Sequence, residues 1–251
     1  RHSMITGDIE EFWREGDQIS KDIKSGKNYF ETGGEYRRPY LPSRIFALFS
    51  ILSSENLVTE DQKISLGGKK IILLIFQSLF YYTLLFFLYQ KFLDFFPKPV
   101  SQLTILFLAF EPTIFMYHSS FWSESIFFSL QLVIILFIIK KNHNLASMFL
   151  FGLLLGVFYL QRSVAIFYVV PVLIFYYFFE RKNFIKYILS ISSALLIILL
   201  LVGFHNYKRA GIFYSISTQV KDGFFVYLIP EILAKKQNIS SKMAYREISA
   251  N

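Results

Sequence analysis

Cysteine is absent from the 251 residues, which excludes disulfides, thiolate zinc sites and thiol catalysis. Charge is scarce too. Only 18% of residues are Asp, Glu, Lys or Arg, against about 25% in an ordinary soluble domain. Acids are scarcest in the middle of the chain: between residues 62 and 204 there are only Asp94, Glu111, Glu124 and Glu180, whereas eleven of the 18 acids lie between Asp8 and Asp61. No repeat with a period of about 20–50 residues is present. No signal peptide precedes Arg1, and the chain reads as a piece whose start lies elsewhere.

What is present is apolar. Hydrophobic residues make up 54% of the chain, with 30 Phe and 16 Tyr, too many to hide in one water-soluble core of this size. The same composition excludes disorder, which needs low hydrophobicity and high charge. The net charge of +8 does not form the single basic stripe of a nucleic-acid binder, so nucleic acid is not an expected partner.

A membrane-crossing helix needs roughly 20 apolar residues. Six segments are expected to cross, at about 71–90, 99–117, 122–139, 145–161, 163–179 and 187–204. The loops after the first, third and fifth carry Lys91, Lys98, Lys140, Lys141, Arg181, Lys182 and Lys186, and the loops after the second and fourth carry only Arg162. The positive-inside bias therefore places the first set in the cytoplasm, although Lys69, Lys70, Lys208 and Arg209 flank the other side. The expected fold is all-α: a six-span transmembrane bundle over 71–204, an extracytoplasmic loop of interfacial helices over 1–70, and a truncated extracytoplasmic segment over 205–251. In the first loop, residues 8–25 predict a helix lying on the membrane, with Ile9, Phe12, Trp13, Ile19 and Ile23 mostly on one side. Gly26 is its expected stop. A short apolar helix at 43–53 follows Pro39 and Pro42.

An ionised side chain in the middle of a membrane helix costs roughly 2.5–3.5 kcal/mol on insertion scales, so Glu111, Glu124 and Arg162 stand out. With the assigned alternation all three fall toward the outer face, which also carries residues 1–70. Plainer readings accompany each candidate. Glu111 or Glu124 can pair with Arg162 simply to hold helices together. Asp8 and Glu11 have the spacing of a helix capping box, and Arg37 and Arg38 can anchor a loop to lipid headgroups. His118 and His205 near span ends read as interfacial. The runs Ser25-Gly26-Lys27 and Leu66-Gly67-Gly68-Lys69-Lys70 lack the spacing of a phosphate-binding loop.

Taken in order, the motifs resemble those of the polyprenyl-phosphate-sugar-dependent glycosyltransferases of the GT-C type, which include the protein O-mannosyltransferases and the bacterial lipid A aminoarabinose transferase. The acidic opening of that family's first loop is similar to Gly7-Asp8-Ile9-Glu10-Glu11-Phe12, and its basic Pro-Pro close to Tyr36-Arg37-Arg38-Pro39-Tyr40-Leu41-Pro42. Glu111-Pro112, Ser123-Glu124-Ser125-Ile126-Phe127 and the stretch Gly152 to Pro171 around Arg162 continue the likeness. Asn206 to Gly211, with Ser215, Ser217 and Gly223, completes it. Three positions depart: Ile9 follows Asp8 where Glu is common, so Glu10 can share the acidic role, Arg38 replaces the first Pro of the pair, and Ser163 replaces the Pro after Arg162. The family's first span and its later portion are also missing.

The resemblance implies transfer of a sugar from a polyprenyl-phosphate donor to an acceptor hydroxyl on a lipid, protein or glycan, at the outer face of a bacterial inner or plasma membrane. It implies Asp8 as the general base, with Glu10 and Glu124 as further catalytic candidates and Arg37, Arg38 and Arg162 on the phosphate. Glu111 and His118 are secondary candidates, and a divalent cation held by Asp8 and Glu124 stays open. Two other classes remain beside this one. A transporter or channel would use Glu111, Glu124 and Arg162 as a relay, and a non-catalytic membrane subunit would use none of these residues chemically.

Overall fold

The computed structural model describes residues 8–32, 40–53, 70–118, 123–140, 143–211, 213 and 229–237. Every regular element among them is helical. The chain divides into two compact units, one of residues 1–34 and 39–215, the other of 35–38 and 216–251. In the second unit, helix α10 covers Ile229–Gln237.

The first unit opens with a helical pair, α1 (Asp8–Lys24) and α2 (Tyr40–Ser53). The apolar side that the sequence assigns to a membrane surface is covered instead by α2. Phe12, Trp13 and Ile19 are buried, and Trp13 stacks on Phe46 at 4.6 Å between ring centroids. Such a stacked pair adds about 0.5–1.5 kcal/mol beyond its area burial. Ser20 and Ser50 share a hydroxyl hydrogen bond of 3.0 Å farther along the seam. Helix α2 begins at Tyr40, ahead of the expected 43, because Pro42 sits in its first turn, where a missing N–H costs nothing.

All six apolar segments are helical. They form α3 (Lys70–Phe92), α4 (Lys98–Phe110) with α5 (Pro112–His118), α6 (Ser123–Ile138), α7 (Leu145–Gln161), a 3₁₀ turn Ser163–Tyr168 with α8 (Val169–Phe179), and α9 (Phe184–Ala210). Two of these helices, over Ile71–Phe92 and Phe184–Lys208, are long and apolar enough to cross a membrane. The bent pair α4–α5 makes a third if it is one span. The others keep to the expected bounds within a residue or two and are each too short by themselves to meet that length, because caps and turns limit them. Asn144, for example, starts α7 with a capping box, accepting from the Ser147 N–H at 2.8 Å while its own N–H donates to Ser147 Oγ at 2.9 Å.

The long helices carry the surface of a membrane protein. On α3, Ile71, Ile72, Ile75, Phe76 and Leu79 are all more than half exposed. Its opposite side, Tyr81, Leu84, Leu85 and Leu88, packs with Leu132 of α6. Helix α7 lies at the centre, with Met148, Phe151, Leu155 and Phe158 buried among Phe127 and Ile134 of α6, Val172 and Tyr176 of α8, and Tyr187 and Ile191 of α9.

Helices α7 and α9 meet through glycine. A Cβ on Gly152 would lie 2.4 Å from the Ile191 carbonyl oxygen, and one on Gly156 would lie 2.8 Å from Ile198 Cγ1. This Gly-xxx-Gly edge brings the two backbones together, which substitutes for the hydrophobic force that a lipid solvent does not supply. The pairing of Gly152 with Ile191 and of Gly156 with Ile198 means that α7 and α9 run parallel. Their C-terminal ends, at Gln161 and His205, therefore share one end of the bundle. Gly211 closes α9 at φ +71°, a conformation that a side chain resists.

Candidate functional site at one end of the bundle

Four elements bring polar side chains together at one end: the start of α3, the end of α5, the start of α6 and the end of α7. At its centre Arg162 Nη1 donates to Glu124 Oε1, the side chains being 36% and 16% exposed. Ser123 Oγ donates to Glu124 Oε2 at 3.0 Å, and the Gln161 amide donates to the Ser123 carbonyl at 2.7 Å. Arg162 is placed by the end of α7, where its N–H still bonds to the Phe158 carbonyl while its own backbone is already extended. Glu124 lies in the first turn of α6, where a carboxylate also complements the helix dipole.

Beside this pair, Ser125 Oγ donates to Gln77 Oε1 at 3.0 Å. The amide of Gln77 and the hydroxyl of Ser78 donate to the His118 carbonyl, at 3.3 and 2.9 Å. His118, expected near a span end, is packed into the protein. It is buried, its ring lies 4.0 Å from that of Tyr81, and Nδ1 lies 2.9 Å from the Ile114 carbonyl. Gln77 and Gln161 were not singled out from the sequence, although each is a polar interruption of an apolar run, and Ser123 and Ser125 entered only as the flanks of Glu124.

Glu111, the other candidate partner of Arg162, has another role. It sits at the break between α4 and α5, which bend by 53°. Pro112 cannot donate an N–H to continue α4, and Glu111 Oε2 accepts the Ile114 N–H at 2.6 Å. Glu111 is thus a helix cap, and the partner of Arg162 is Glu124.

A second polar cluster ties the α1–α2 pair to the end of α9. Arg44 lies 3.4 Å from Glu15 Oε1, and Nη2 lies 3.1 Å from His205 Nε2. Ser43 Oγ donates to Glu15 Oε2 at 2.7 Å. The Arg44 guanidinium lies over the Tyr40 ring at 4.2 Å, and that ring meets His205 edge-on at 5.3 Å. An Arg N–H can only donate, so His205 Nε2 accepts and is unprotonated here. Burial pushes the Tyr40 hydroxyl well above the ordinary phenol range, against the pull of Arg44, so Tyr40 stays protonated. His205 is buried. Because α7 and α9 run parallel, this cluster and the Glu124–Arg162 layer occupy the same end.

Asp8 and Glu10 fall in the first turn of α1, and their side chains lie outside the described residues. Arg37 and Arg38 lie outside the described residues altogether. Among the described residues, no three His, Cys, Asp or Glu side chains gather as a metal set. No family model, curated protein or solved structure matches the chain.

Proposed function

We propose that this chain is a six-span integral membrane glycosyltransferase of the GT-C type, moving a sugar from a polyprenyl-phosphate donor to an acceptor hydroxyl at the outer membrane face. The observation that carries this reading is the Glu124–Arg162 pair in a polar layer at one end of an otherwise apolar bundle. A lipid phosphate enters sideways from the bilayer, so a cation that receives it belongs at that boundary. Only Nη1 of Arg162 engages Glu124, which leaves further donors for a phosphate in the fork geometry that suits it. Glu124 then aims the guanidinium rather than acting as base.

In the reaction, the acceptor oxygen bonds to the anomeric carbon while the bond from that carbon to the phosphate oxygen breaks. The acceptor proton passes to a carboxylate, and Asp8 is our assignment for it, with Glu10 beside it. The leaving phosphate oxygen keeps the electron pair of the broken bond, and Arg162, Arg37 and Arg38 compensate its negative charge. General-base catalysis of this kind contributes about 10²–10⁴-fold.

The test uses membranes containing the protein, given polyprenyl-phosphate mannose or polyprenyl-phosphate aminoarabinose. Transfer is expected, and Asp8→Asn is expected to lower it about 10²–10⁴-fold with donor binding retained. Full turnover in Asp8→Asn removes Asp8 from the mechanism. Absence of transfer from every polyprenyl-phosphate sugar by the wild type overturns the reading.

One observation favours a transporter instead: the break at Glu111-Pro112, since discontinuous helices build transporter binding sites. Ion or solute flux in proteoliposomes that Glu111→Gln abolishes would select that class.

A further inference from the structure

At the other end of the bundle, the ends of α3, α6 and α8 surround a cleft of about 500 Å³, within the range of roughly 300–1,000 Å³ found for ligand sites. Its location is set by α6, which runs about 21 Å from Glu124 to Ile138 at about 1.5 Å per residue. The cleft is far from the polar layer and shares no residue with it. Phe95, Phe96 and Phe179 form much of its apolar wall, with Lys140, His143 and Glu180 on the polar side. The wall is not closed over, since Phe179 is 73% exposed and Phe95 and Phe96 about half so.

Cations outnumber carboxylates around the cleft, although Glu180 is itself one of its lining residues. Residues 91–98, 140 and 180–186 together carry six cations against two carboxylates, Asp94 and Glu180. Lys91 already pairs with Asp94 at 3.5 Å, and Arg181 lies over the Tyr177 ring at 5.9 Å. Lys140 is exposed and has no carboxylate within 4 Å among the described residues. His143 does not compete with it as a cation. Its ring stacks on Phe137 at 5.5 Å and meets Tyr176 edge-on at 5.5 Å, and burial holds its imidazole below the ordinary histidine range.

An exposed aromatic wall with an unpaired ammonium at its edge fits one class of molecule, amphiphilic and anionic. A soluble anion would leave the phenylalanines uncovered, and a neutral lipid would leave Lys140 uncompensated. We propose that the cleft holds an anionic glycerophospholipid of the cytoplasmic leaflet, with an acyl chain against Phe95, Phe96 and Phe179 and the phosphate on Lys140. Basic pockets between membrane helices on the cytoplasmic side bind such headgroups. The inference rests on the placement of the chain in a bilayer and is independent of sugar transfer.

Native mass spectrometry of the detergent-solubilised protein tests it, with phosphatidylglycerol and phosphatidylcholine of identical acyl chains and glycerol 3-phosphate as a headgroup-only probe. Phosphatidylglycerol is expected to be retained at one molecule per chain and at least about fivefold more tightly than phosphatidylcholine, which is the worth of about one surface lysine. Lys140→Gln should erase that preference, and Lys140→Arg should keep it. Equal retention of the two lipids, an unchanged preference in Lys140→Gln, or equal competition by glycerol 3-phosphate would each overturn the proposal.

Discussion

At the residue scale the Glu124–Arg162 pair decides most. Its partners are 16% and 36% exposed, between the exposed pairs that add about 0–1 kcal/mol and the fully buried ones whose breakage costs about 3–5 kcal/mol. We expect Arg162→Ala to destabilise the protein by about 1–3 kcal/mol by stranding Glu124, and Glu124→Gln by less, because Gln keeps an acceptor for Arg162. The double variant should cost less than the sum of the two, as a thermal double-mutant cycle in detergent would read; strict additivity would mean that the pair is not coupled. Glu124 and Arg162 were legible as single charges in an apolar background. That they pair was one of two readings left open, and Glu111 carried the same signal while serving as a cap. A carboxylate's charge is written in the sequence, but its partner depends on how helices 38 residues apart are brought together.

At the element scale the parallel contact of α7 and α9 is the sharpest feature. Gly152 faces the Ile191 carbonyl oxygen at 2.4 Å, backbone that cannot move aside, while Gly156 faces the stiff β-branched side chain of Ile198 at 2.8 Å, a less severe approach. Gly152→Ala should therefore cost about 1–3 kcal/mol of overpacking despite alanine's better helix propensity, and Gly156→Ala distinctly less. Thermal melting of the two variants side by side checks this, and equal effects would contradict the stated contact. The hydrophobic periodicity of α1 was also visible in the sequence. What it faces was not, because a membrane surface and a partner helix both reward the same stripe, and α2 is the partner found.

At the scale of the whole molecule the absence of cysteine is an experimental asset. Single cysteines introduced at exposed lysines report which side each end occupies. In intact cells a membrane-impermeant maleimide should label Lys24→Cys and Lys208→Cys directly, and should label Lys182→Cys only after permeabilisation. Labelling of all three in intact cells would reject the assigned orientation. The fold itself supports alternation, since the loops after the first, third and fifth apolar segments line one cleft and the other ends carry the polar layer.

By itself the sequence determined the class of the molecule: all-helical, apolar and suited to a membrane, with six apolar segments and their order. These follow from local properties, namely hydrophobic run length and charge placement. Only the tertiary structure decided which polar groups meet. It paired Arg162 with Glu124, gave Glu111 to α5 as a cap, buried His118 against Tyr81, and set Arg44 between Glu15 and His205. Those outcomes depend on contacts between residues as far apart as 161 positions, and no local pattern specifies them.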